Sequence, residues 1–207
     1  RDVAHRHDVG VVILKEPVKG VIISPILQPE FYHEALSVSG LVTIAGYGRD
    51  ENDKMGILNQ ADVPVMKHND LEAVVGADLP RFPNACRGDS GGGIYVNFDG
   101  VQQVTGVASR LVVIEKIECG HGAVYALPGC YQPWIRKVCE EQGLENCSDF
   151  AKEVDCDYRE DFHLVIEGKG PGCSYSGKYN GDDDSCFGLM LGIAGLAYTF
   201  RRMKKQR

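Results

Sequence analysis

The sequence predicts a mainly β domain closed by one short helix, followed by a disulfide-rich tail and a terminal apolar segment. Three observations lead there. Up to about residue 138, short apolar runs alternate with Gly, Pro, Asn and Asp, the pattern of strands joined by tight turns. Six of the eight cysteines lie between Cys130 and Cys186, which points to disulfides and an oxidising compartment. Phe187 to Phe200 is fourteen residues without a charge, followed at once by the basic run RRMKKQR.

Taken in order, the strand candidates are Val11 to Leu14, Leu41 to Gly46, Ala61 to Met66, Gly93 to Asn97, Val101 to Ser109 and Ala123 to Leu127. Each is rich in β-branched or aromatic residues and bounded by turn formers. Two helices are expected: a short turn over Asn69 to Val75 with Asn69 as its cap, and a longer one from Tyr131 to Gln142. The latter has Pro133 in its first turn and Gly143 just past its end, the usual start and stop signals. Trp134 and Ile135 are expected on its buried side. There is no internal repeat.

Composition narrows the function. With 207 residues, 43% of them apolar and 25% charged, the chain can bury a core, so collagen-like and wholly disordered architectures are excluded. The net charge of −7 is unevenly spread. Residues 140–184 hold 13 acids and 4 bases, a net of −9, whereas RRMKKQR carries +5. So acidic a body is a poor binder of nucleic acid. No CxxC pair is present, so zinc is a weak alternative to disulfides; no metal and no cofactor are expected.

The most informative stretch is Cys86 to Gly93, CRGDSGGG. Glycines on both sides of Ser90 permit a tight turn that leaves the hydroxyl exposed and nearby N–H groups convergent. The Gly88 and Ser90 amides would then face a developing oxyanion, as acyl transfer requires. A glycine-rich hairpin with an incidental serine is the alternative for this motif alone.

Here the chain resembles the trypsin and chymotrypsin family of serine peptidases. Further landmarks run in the family's order over residues 7–138: HDVGVVIL at His7 to Leu14, GYG at Gly46 to Gly48, ADVPVM at Ala61 to Met66, GVAS at Gly106 to Ser109, AVY at Ala123 to Tyr125, and YQPWIRKV at Tyr131 to Val138. The resemblance implies a double β-barrel. It makes Ser90 the nucleophile and Asp8 the carboxylate that orients a histidine base. Asp89 takes the family's role of pairing with the amino terminus freed on activation, and Ser109 lies beside the triad on a strand that pairs with substrate. For Asp8 a plain strand cap, and for Asp89 a solvated turn residue, are the alternatives.

The family's histidine lies in an AAHC-like motif roughly fifty residues before the aspartate, and Asp8 is preceded by seven residues. None of His5, His7, His33, His68, His121 and His163 has that context, and His5 and His7 are read as surface residues. The expectation is therefore a C-terminal fragment whose first barrel is mostly missing, inactive alone because the hydroxyl lacks a base.

By the same resemblance, Asn84 occupies the base of the primary specificity pocket and Ala123 replaces a glycine of its wall. A neutral base cannot anchor Arg or Lys as a carboxylate does, so a small or medium uncharged side chain is expected. Cys86 and Cys119 match the disulfide that braces this pocket. The other six cysteines allow fifteen pairings, and none is chosen.

The expected organisation is residues 1–138 as the partial peptidase domain, 139–185 as an acidic Cys-rich spacer, and 186–207 as a short apolar helix with a basic tail. A helix over Phe187 to Phe200 would span about 21 Å, short of the roughly 30 Å hydrocarbon core. With Ser185-Cys186 before it and basic residues after it, the segment resembles a bacterial C-terminal sorting signal, either removed on export or kept as an anchor; a buried terminal helix is the bland alternative. The run Asp182 to Asp184 lacks an EF-hand pattern and reads as a solvated charge cluster rather than a calcium site. The leading function is a secreted or cell-surface serine endopeptidase acting on protein or peptide substrate, touching the membrane through its C-terminal helix. The rivals are a catalytically dead, peptidase-like binding module and a membrane-anchored structural protein.

Overall fold

The computed structural model describes residues 7–38, 40–76, 83–113 and 119–157. Six strands, all paired antiparallel, close into a barrel: β1 (Leu41–Gly46), β2 (Asn59–His68), β3 (Glu72–Val75), β4 (Gly93–Phe98), β5 (Val101–Leu111) and β6 (Ala123–Ala126). Around the barrel the order is β1-β2-β3-β6-β5-β4. Two helices complete the described fold, the single turn α1 (Tyr32–Ala35) and α2 (Gln132–Glu141).

Closure follows from period-two patterning, which sends alternate side chains to one face. Val42 and Ile44, Val63 and Val65, Ala73 and Val75, Ile94 and Val96, and Ala123 and Tyr125 fill one buried core from five strands. A smaller cluster of Val74, Val112 and Val124 lies apart from it. Between β4 and β5, Asp99 and Gly100 both take positive φ, 51° and 77°, as a two-residue hairpin requires.

Three local expectations are corrected. Val11 to Leu14 belongs to no strand, and all four residues are exposed. Among the described residues this segment pairs with the barrel's backbone only further along, where Ile26 bridges to Val104 of β5. Asn69 to Val75 is not helical. The Asn69 Oδ1 accepts the amides of Leu71 and Glu72 at 2.9 and 2.8 Å, turning the chain into β3, where β-branched Val74 and Val75 suit a doubly paired strand. Trp134 is 43% exposed, because the buried positions of α2 are Gln132, Ile135 and Cys139. They define one helical face, and Trp134 stands about 100° from Ile135 around the axis.

Past α2 the described chain stays fastened to the domain. Disulfides Cys130–Cys156 and Cys139–Cys147 fasten the chain after α2. The Ala151 amide donates to Gln132 Oε1, Arg136 Nη1 to the Phe150 carbonyl, and the Asp157 amide to Asp70 Oδ2. Residues up to 157 are thus held on the barrel. The terminal apolar segment, Asp182 to Asp184, Cys173 and Cys186 lie outside the described residues. Among those described, no helix is long and apolar enough to cross a membrane.

Candidate active site

The loop that carries Ser90 is pinned on three sides. Cys86 is tied to Cys119 by a disulfide. The Asp89 amide donates to the Cys86 carbonyl and the Gly92 amide to the Asp89 carbonyl, coiling the loop on itself. Gly91 N–H donates to the Ala108 carbonyl and Ala108 N–H to the Gly92 carbonyl, which locks the loop against β5. Gly88 has φ +93°, a conformation a side chain resists. A methyl group there would also collide with Met55 and approach Gly48. Ser90 is exposed. The amides of Gly88 and Ser90 donate to no protein acceptor among the described residues, leaving two donors beside an accessible hydroxyl.

Asp89 turns the opposite way. Its Oδ1 accepts the Gly48 amide at 2.7 Å and its Oδ2 the Cys86 amide at 2.8 Å. The carboxylate fits because Gly46 and Gly48 carry no side chain, since a Cβ on either would overlap it. The GYG of the sequence is therefore a cradle for this carboxylate.

Asp8 reaches the site from 101 residues away in sequence, its Oδ2 accepting the Ser109 hydroxyl at 2.8 Å. Ser109 is the extra residue of a bulge, because β5 shifts register against β6 between Ala108 and Arg110. Such a bulge re-aims one side chain at a barrel rim. His7 has φ 61° and its Nδ1 lies 2.8 Å from the Tyr131 hydroxyl, so it is engaged on α2's side and not at Ser90.

A pocket of about 350 Å³ opens beside Ser90, with Ser109, Arg110, Leu111 and Ala123 among its other walls. On the other side of the same loop lies a cleft of about 600 Å³, bordered by Thr43, Tyr47, Tyr95 and Gln102. Among the described residues no histidine lines either. An exposed serine, two amides without a protein acceptor among the described residues, a carboxylate bonded to Ser109 and an adjoining pocket suit acyl transfer once a base is supplied.

A family model described as Trypsin matches residues 1–135. The chain belongs to the trypsin family. The structure gathers Ser90, Gly88, Ser109 and Ala123 around one pocket, with Asp8 bonded to Ser109. It leaves Asn84 outside that lining; a methyl group on Gly76 would strike Asn84 Oδ1 and approach Gly122, which puts the amide behind the wall. Five lining residues fall outside the predicted site residues: Ala85, Arg87, Ala108, Arg110 and Leu111. Arg110 and Leu111 belong to β5, which continues past Ser109.

Proposed function

We propose that this chain is the nucleophile-bearing part of a serine endopeptidase. The observation that carries the reading is the Asp8–Ser109 bond, which delivers a distant aspartate to the edge of the pocket that holds Ser90 and two unengaged amides. Ser90 Oγ would attack the scissile carbonyl while its proton passes to a histidine oriented by Asp8. The carbonyl oxygen becomes an oxyanion held by the Gly88 and Ser90 amides. Collapse expels the amine, which takes the proton, and water then hydrolyses the acyl-enzyme by the reverse arrangement. No histidine among the described residues lines the pocket or the cleft beside Ser90, so this chain alone would be inactive until a base is supplied. Asp89 keeps its cradle as the site that orders the nucleophile loop, with activation pairing as its further role.

Leu111 and Ala123 give the pocket apolar walls, so the preferred residue is small or medium and uncharged. Three disulfides among the described residues fit an enzyme working outside the cytoplasm. Residues 186–207 would serve as sorting signal or anchor, testable by mass spectrometry of the mature protein, where an intact RRMKKQR excludes removal. The catalytic reading is tested by joining this chain to its upstream polypeptide and assaying peptide esters. Hydrolysis that vanishes in Ser90→Ala supports it, and an upstream segment without a histidine at the family's position supports the binding-module rival. Equal cleavage after Arg would overturn the specificity.

A further inference from the structure

We infer that the Glu72–Arg110 ion pair is a positioning device for extended substrates, holding the strand edge along which a peptide would lie; this rests on the serine-peptidase reading above. The guanidinium of Arg110 grips Glu72 with two parallel bonds, Nη1 to Oε1 at 2.7 Å and Nη2 to Oε2 at 2.8 Å. Glu72 is buried and Arg110 is one-third exposed. The bonds reach across a whole strand, because β6 lies between β5 and β3. Opposite Arg110 on β6 is Val124, and opposite Glu72 is Ala126. Two positions apart on one strand, these partners place both charged side chains on the same sheet face.

The location gives the pair its purpose. Strand β4 accompanies β5 only as far as Val107, and the Gly91 and Gly92 bonds to Ala108 complete that side. From Ser109 to Leu111 no strand pairs with that edge of β5 among the described residues, and all three residues line the pocket. An edge left open beside a nucleophile can accept an extended peptide as an added strand. On the other side the bulge leaves Ser109 out of the β5–β6 ladder, which resumes at Arg110 opposite Val124 and Leu111 opposite Ala123. A planar, bidentate Arg–carboxylate contact restores geometric definition there, anchoring the edge to β3 at the residue next to the one that bonds Asp8. A single-residue substrate would use the pocket alone, whereas a tetrapeptide would use the edge as well.

The test compares Glu72→Gln and the reversal Glu72→Arg/Arg110→Glu with the parent in the longer, catalytically competent polypeptide. Each is assayed on a single-residue ester and on a tetrapeptide amide with the same terminal residue. Expected for Glu72→Gln is a rise in KM for the tetrapeptide on the order of tenfold, with kcat and the ester rates within about twofold, and recovery in the reversal. An equal fall on both substrates, the mark of general destabilisation, overturns the inference, as does no change on either. Amide shifts of the 1–207 chain on titration with the tetrapeptide give a readout without catalysis. Weaker binding along Ser109 to Leu111 in Glu72→Gln supports the inference even if the parent hydrolyses nothing, whereas equal binding, or none by the parent, overturns it.

Discussion

Replacing Gly48 by alanine should break the nucleophile loop without touching it. A Cβ at Gly48 would lie 2.5 Å from Asp89 Cγ and 2.5 and 2.6 Å from its two oxygens, so the carboxylate must leave. Departure abolishes its bonds to the Gly48 and Cys86 amides. Hydrogen bonds to a charged group are worth about 1.5–3 kcal/mol each. Because Asp89 is only partly buried, solvent recovers part of this, leaving about 2–3 kcal/mol for the pair. Asp89→Ala removes the same two bonds, so the two substitutions should not add. In urea unfolding followed by circular dichroism with disulfides intact, each single variant should lose about 2–3 kcal/mol and the double variant little more, a coupling of about 2 kcal/mol. Additive losses would refute the idea that Gly48 exists to admit this carboxylate.

Further outcomes follow from the same contacts. Ser90→Ala, at an exposed position, should change stability by less than about 0.5 kcal/mol while abolishing any esterase activity of the longer polypeptide. Breaking Cys130–Cys156 by a double Ser substitution opens a loop with sequence separation 26; the chain-entropy relation gives about 3.5 kcal/mol, and proteolysis should then release the segment after α2 first. Burial raises the phenol pKa of Tyr32 and Tyr125, with the Gly129 amide partly opposing it at Tyr32 and Asp89 adding at Tyr125. Both phenols should stay neutral above the pH, about 10, at which the unfolded chain ionises. The unfolded state then binds fewer protons, so stability falls as pH rises above about 10, as a pH series of urea midpoints would show. Burial lowers the His68 pKa, with His33 also lowering it and Asn69 and Asp70 opposing. Its contribution to stability therefore falls away as pH drops below about 6.5.

What was legible in the sequence was local. The turn around Ser90 is set by its own glycines, and Cys86–Cys119 follows from the family resemblance. The Asp99-Gly100 hairpin is written in two adjacent residues. What stayed hidden depends on distant partners. Strand β3 is four residues whose strand character comes from β2 and β6 on either side, and Asn69 serves a hairpin turn as well as it would a helix. Trp134 looks like a core residue until the register of α2 is fixed by Gln132, Ile135 and Cys139. The Glu72–Arg110 contact spans 38 residues, and no sequence spacing announces it. Nor could cysteine counting choose Cys130–Cys156 and Cys139–Cys147 from fifteen arrangements.

What most needs testing is the proposal that Ser90 is the nucleophile, with the Gly88 and Ser90 amides and Asp8 around it, and that no histidine among the described residues serves as its base. Fluorophosphonate labelling at Ser90, read by intact mass and peptide mapping, tests it most directly. The account predicts no label on this chain alone and stoichiometric label at Ser90 once the upstream polypeptide is present; rapid labelling of Ser90 in the isolated chain would contradict it.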